Sequence, residues 1–121
     1  MRWLCIFVAA CAADPGSKAY LPSDATFIRA DVPQCLQDNP DHAAQGYPCC
    51  QILSFGTDGS ADKTSGEEGF PGTYELDGPL ARGQIFHQDF TFDFSTNLAT
   101  GRLVAGQWLP DDMNLTAVAC R

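Results

Sequence analysis

Three residues of the sequence could support acid–base chemistry, because His87 is followed closely by Asp89 and Asp93. A histidine beside a carboxylate can act as a general base with an orienting partner. However, no serine or cysteine stands in a nucleophile motif, and HExxH, GxSxG and glycine-rich phosphate loops are absent from the sequence. In a strand the two aspartates would lie about 13 Å apart, too far for a glycosidase pair. The sequence therefore predicts surface residues and a protein that is not an enzyme.

Oxygen-bearing side chains at alternate positions resemble the start of a calcium-binding loop. They are Asp58, Ser60, Asp62 and Thr64. Lys63 stands where such a loop needs glycine, and Gly69 stands where it needs the closing glutamate. Asp58 and Asp62 are therefore only a weak candidate metal site, and a solvated loop is the preferred interpretation. No cofactor is predicted.

Cysteines are expected to stabilise the fold. Cys35, Cys49, Cys50 and Cys120 form an even set after the N-terminal segment, and disulfides are the default for such a set in an oxidising compartment. Because a bond between the adjacent Cys49 and Cys50 would be strained, Cys35 is predicted to pair with one of them and Cys120 with the other. A zinc site that includes His42 is the rival interpretation, but the C-x-x-C and H-x-x-x-H spacings are missing.

The N-terminal residues have the features of an export signal. Arg2 supplies one positive charge, an apolar run follows, and the run ends in Val8-Ala9-Ala10-Cys11. This segment resembles the lipobox of bacterial lipoproteins, which implies that Cys11 receives the lipid and becomes the mature N-terminus. Ala10-Cys11-Ala12 also fits ordinary secretory cleavage, and an uncleaved element of the fold is a third alternative.

The resemblance to a lipoprotein signal implies a domain plan and a location. Residues 1–10 are the expected signal peptide, 11–25 a tether, and 26–121 a single domain. The implied location is the cell envelope, at the outer membrane or in the periplasm, with secretion as the alternative. The lipid would supply the contact with the membrane, so the domain itself would need none. The mature domain resembles no family.

Charge and composition limit the classes of partner. The formal net charge is −8, and the seven Lys and Arg are scattered along the chain. Nucleic acid is disfavoured, because neutralising phosphates requires a basic patch. A hydrophobic share of 45% with eight phenylalanines is sufficient for one folded core.

Alternating apolar and polar residues predict a mainly β domain. Strands are predicted at 26–30, 51–55, 73–76, 85–94, 102–109 and 113–120, with one helical turn near Cys35 and a long loop over 58–72. The clearest strand places Phe86, Phe90, Phe92 and Phe94 on one face. These features predict a small antiparallel β-sandwich or barrel that is stapled by disulfides.

A non-enzymatic envelope lipoprotein that binds another envelope or secreted macromolecule is the leading functional hypothesis. This hypothesis is based on the small size of the protein, the expected anchor and the lack of a catalytic motif. One alternative is a small-ligand or metal-binding barrel that uses the aromatic face or the acidic loop. A second is an inhibitor of a cationic hydrolase, because Ser65-Gly66 is faintly similar to the Ser-Gly loop of periplasmic lysozyme inhibitors.

Overall fold

A closed antiparallel barrel is the architecture of this chain. The structure, a computed structural model, describes residues 18–38, 41, 51–65 and 68–111. Its elements are β1 (Ala25–Arg29), α1 (Val32–Asp38), β2 (Gln51–Phe55), β3 (Ser60–Ser65), β4 (Glu68–Asp77), β5 (Leu80–Ile85), β6 (Gln88–Asp93), β7 (Leu98–Gly101) and β8 (Gly106–Pro110). Each strand pairs with the next, and β1 pairs with β8. The predicted mainly β class is confirmed, and the barrel is the correct one of the two predicted architectures.

The barrel has two ends with different side chains. The helix end is formed by α1, the turn at Phe86 and His87, and the loop 102–105. The aspartate end is formed by the start of β1, the end of β8 and the turns 56–59, 78–79 and 94–97. Among the residues that the structure describes, five carboxylates lie at that end, namely Asp24, Asp58, Asp77, Asp93 and Asp111. The two ends are therefore distinct surfaces, and each can be assessed separately.

Large side chains fill the interior, because alternate residues of each strand point inward. The largest fully buried residues are Trp108, Phe55, Phe92, Leu53, Ile85 and Val104. The ring of Phe55 lies 5.1 Å from the ring of Tyr74 and 5.3 Å from that of Phe92, measured between centroids. Aromatic residues thus form the core of the barrel.

Glycines opposite the large residues make this packing possible. Gly83 pairs with Tyr74 on one side and with Phe90 on the other, and Gly72 pairs with Ile85. A Cβ at either glycine would collide with the backbone of the neighbouring strand, so glycine at these positions lets the two backbones approach closely.

Several predicted element boundaries are wrong. Within the segment predicted as a long loop, residues 58–65 and 68–72 are instead a turn, β3 and the first half of β4. Segment 85–94 is a hairpin, with Phe86 in its turn instead of on the face with Phe90. The strand predicted at 102–109 begins only at Gly106, whereas the predicted strands at 26–30 and 51–55 are confirmed within one residue. The strand predicted at 113–120 lies outside the described residues.

The segment that leads into β1 packs against the aspartate end. The N–H of Leu76 donates to the carbonyl of Ala19 at 2.8 Å. The hydroxyl of Tyr74 accepts from the N–H of Leu21 and donates to the carbonyl of Gly56, both at 2.8 Å. Residues 18–21, which the sequence assigns to the tether, are therefore bound to the barrel, and they fix the end at which the chain enters it.

Candidate functional site

The residues considered for acid–base chemistry do not form one site. His87 is in a turn at the helix end, whereas Asp93 ends β6 at the aspartate end. Hydrogen bonds from the Ser95 hydroxyl and N–H, at 2.6 and 2.9 Å, lower the pKa of Asp93. Asp89 accepts a hydrogen bond from the amide of Gln84 at 2.9 Å. Among residues 68–111, no hydrogen bond joins His87 to either aspartate.

The weak candidate metal residues, Asp58 and Asp62, do not lie in one shared loop. Asp58 is in the turn after β2, where hydrogen bonds from the Ser60 side chain and N–H lower its pKa. Asp62 lies within β3, where partial desolvation raises its pKa although the residue is exposed. Within the described part of the chain, no group of three histidine, cysteine or acidic residues is arranged to hold a metal ion. The calcium-loop interpretation therefore lacks the loop on which it depends.

The cysteine predictions fall mostly on residues that the structure does not describe. Cys35 lies on α1 and is disulfide-bonded. Cys11, Cys49, Cys50 and Cys120, together with His42, are outside the described residues, so the pairing and the lipidation stay predictions. Ser65 belongs to β3, while Gly66 is also outside. No helix of the described residues is long and apolar enough to cross a membrane.

The turn between β5 and β6 has an unusual backbone. Phe86 has φ 51° and His87 has φ 65°, so both central residues of this two-residue hairpin are in the left-handed region. Such type I′ turns favour Asn-Gly, because glycine and asparagine tolerate positive φ. A bulky residue in this region costs about 1–2 kcal/mol. The hairpin therefore carries strain in two successive residues.

The strained turn presents an aromatic side chain to solvent. Phe86 is 55% exposed, the most exposed of the large hydrophobic residues described. Its ring packs edge-on against that of Phe70, with centroids 5.3 Å apart and planes at 71°. The ring is thus held from one side and open on the other, as a binding contact requires.

Two cations lie at the helix end of the barrel interior. Arg29 is at the end of β1, and its guanidinium carbon is 5.5 Å from the centroid of the Trp108 ring. Lys63 is in β3, only 8% exposed, with its ammonium 5.8 Å from the centroid of the Phe70 ring. Burial lowers the pKa of Lys63, and the charge of Arg29 lowers it further.

A separate groove of about 730 Å3 lies on the outer surface of the barrel, over β3 to β6. Its polar side chains pair with one another: Lys18 and Glu75 form an ion pair at 3.3 Å, and Gln84 donates to Asp89 at 2.9 Å. Because these groups already have partners, the groove is weaker than the helix end as a candidate site.

Comparisons with known proteins assign no function to these features. No family model matches the chain, and neither a curated protein nor a solved structure resembles it. The geometry of the helix end is therefore the basis for a functional proposal. Sequence patterns did not identify Arg29 and Lys63 as a pair of cations, because their proximity depends on the barrel.

Proposed function

We propose that this protein is an exported, lipid-anchored envelope protein whose barrel is a non-enzymatic binding module. Its partner would be a protein, bound at the helix end through the turn at Phe86 and His87. The observation that carries this proposal is the exposed aromatic ring on a strained turn. Strain that persists at an exposed tip supports a role in binding, because Asn-Gly would form the same turn at lower cost.

The position of the ring favours recognition of a protein surface. Aromatic side chains supply much of the binding energy at protein interfaces, and a ring that is already held in place loses little entropy on binding. Phe86 is held by Phe70 but remains more than half exposed. By contrast, the interior phenylalanines pack against one another, which favours a surface site over a cavity for a small apolar ligand.

The direction from which the chain enters the barrel is compatible with an anchor at Cys11. The first described residue, Lys18, is at the aspartate end, opposite the turn. Residues 11–17 could span at most about 25 Å when extended. An anchored chain would then keep the aspartate end close to the membrane and direct the helix end away from it, towards a partner.

Intact mass spectrometry of the protein expressed in a bacterial host tests the anchor. We expect a mature protein that begins at a lipidated Cys11, with four hydrogens gained on reduction if two disulfides form. Cys11→Ser is the control variant and should lose the lipid mass. A full-length, unprocessed mass for the native chain would contradict the anchoring part of the proposal.

Site-specific photocrosslinking tests the binding surface. A photoreactive phenylalanine analogue at position 86 is expected to give a discrete adduct with one protein in intact cells. The adduct is expected because a central interface residue lies within contact distance of the partner. Mass spectrometry of the purified adduct would identify the partner.

Leu98 and Leu109, which are 49% and 39% exposed on β7 and β8, provide matched control positions. The same analogue at either position should give no such adduct. Equal adducts at all three positions, or none at position 86, would count against the helix end as the binding surface.

A further inference from the structure

The guanidinium of Arg29 is held in one orientation by two contacts. Its Nη1 donates to the carbonyl of Ala105 at 3.1 Å, and its carbon faces the ring of Trp108. Gly106 leaves room beside it, because a Cβ at that position would lie 3.1 Å from Nη2. An arginine held in this way is preorganised for whatever its remaining N–H groups bind.

The Nε of Arg29 has no hydrogen-bond acceptor within the described residues, although it is buried. The nearest carboxylate oxygen is Oδ1 of Asp31, at 3.7 Å, which is too long for a hydrogen bond. Asp31 itself has a side chain that is 70% exposed. A buried, charged N–H without an acceptor is costly, and because the Arg29 side chain is 27% exposed, an anion from outside can approach its guanidinium.

Lys63 adds a second positive charge that lacks a counter-ion. Over residues 18–38, 51–65 and 68–111, the ion pairs involve Lys18, Arg29 and Arg82, and none involves Lys63. The net charge of the chain is −8, yet these two cations face the same end of the interior. Like charges that lie close together and buried are stabilised when an anion binds between them.

We infer that the helix end binds a carboxylate, with the guanidinium of Arg29 as hydrogen-bond donor and Lys63 as the second positive charge. The planar fork of an arginine matches the two oxygens of a carboxylate. The carboxylate belongs to an acidic side chain of the partner that contacts Phe86, so this inference rests on the proposed function. The binding surface then joins an exposed aromatic contact to a partly buried cationic one.

Titration with an acidic peptide, followed by NMR of the arginine Nε–H resonances, tests this inference. Acetyl-tetraglutamate amide is the probe, and acetyl-tetraglutamine amide is the neutral control peptide. We expect the Arg29 Nε–H signal of the full chain to shift with the acidic peptide only. Arg29→Lys, which keeps the charge but removes the fork, and Lys63→Met should each weaken binding about tenfold or more.

Two further variants distinguish a specific binding site from non-specific electrostatic attraction between the acidic peptide and the protein. Arg82→Gln removes an exposed cation that pairs with Asp77, and it should change the affinity less than twofold. Asp31→Asn keeps the packing of Arg29 but removes the competing carboxylate, so it should strengthen peptide binding. Equal losses in Arg29→Lys and Arg82→Gln, or an Arg29 signal that does not move, would overturn the inference.

The two proposals fail in different ways. If the adduct at position 86 forms but the acidic peptide does not bind, the carboxylate inference is wrong and the binding surface stands. If the peptide binds at Arg29 but position 86 gives no adduct, the carboxylate site stands without a protein partner at the turn.

Discussion

Replacing Gly83 by alanine is expected to destabilise the barrel by about 3 kcal/mol or more. A Cβ at this position would lie 1.9 Å from the carbonyl oxygen of Thr73 and 2.8 Å from the Cα of Tyr74. Both atoms belong to the backbone of β4, so no side-chain rotation can relieve the contact. β4 and β5 would have to separate, and the hydrogen bonds between them would weaken. For a domain of this size, such a loss lowers the Tm by roughly 15 °C.

Gly69→Ala is the matched control for this variant. Gly69 also lies in a strand, β4, but a Cβ there would have no neighbour within 4 Å. Alanine should be neutral or slightly stabilising at that position, because it restricts the unfolded chain. Chemical denaturation monitored by circular dichroism measures both variants. If the two unfold at the same denaturant concentration, the close pairing of β4 with β5 is wrong.

Glycines such as Gly83 show why the strand boundaries were difficult to predict. Glycine is depleted in strands, so a segment that contains Gly78, Pro79 and Gly83 favours a loop on local propensity alone. In the barrel, Gly83 pairs with Tyr74 and Phe90, and its lack of a side chain allows the backbones of β4 and β5 to approach closely. This benefit depends on the pairing of distant residues, which local patterns do not contain.

The hairpin at Phe86 is marked in the sequence by a change in the alternation of buried residues. Before the turn the buried residues are Ala81 and Ile85, at odd positions, and after it they are Phe90 and Phe92, at even positions. Two residues in a turn produce this change of parity. Because the turn holds Phe-His instead of Asn-Gly, the parity of the buried residues was the sequence signal that remained.

Local sequence determines the fold class of this protein more fully than it determines the candidate site. Alternation at Phe90 and Phe92 is local, and it predicts a half-buried strand correctly. Closure into a barrel depends on the pairing of β1 with β8, whose residues are about 80 positions apart, so a sandwich was an equal alternative. Arg29 and Lys63 likewise come together only because β1, β2 and β3 are neighbours in the barrel wall.

The double variant Phe86→Asn, His87→Gly should stabilise the barrel and weaken its binding to a partner. Relieving two left-handed residues returns about 2–4 kcal/mol, while the lost contact between Phe86 and Phe70 costs about 1 kcal/mol. The expected net gain is therefore about 1–3 kcal/mol in the free energy of unfolding. Loss of an aromatic hot spot should lower the affinity for the partner about 30-fold or more.

Asn97→Gly serves as the control, because Asn97 also has a positive φ, of 57°, but lies at the aspartate end. It should gain only a few tenths of a kcal/mol, because asparagine already tolerates this conformation, and it should leave binding unchanged. Denaturation curves and the affinity for the partner captured at position 86 would be measured together. A double variant that is less stable than the native protein would mean that the turn is not strained. A double variant that binds the partner as tightly as the native protein would mean that the aromatic ring is not the contact, because its removal would have changed nothing. The strain of the Phe-His turn would then bring no gain in binding.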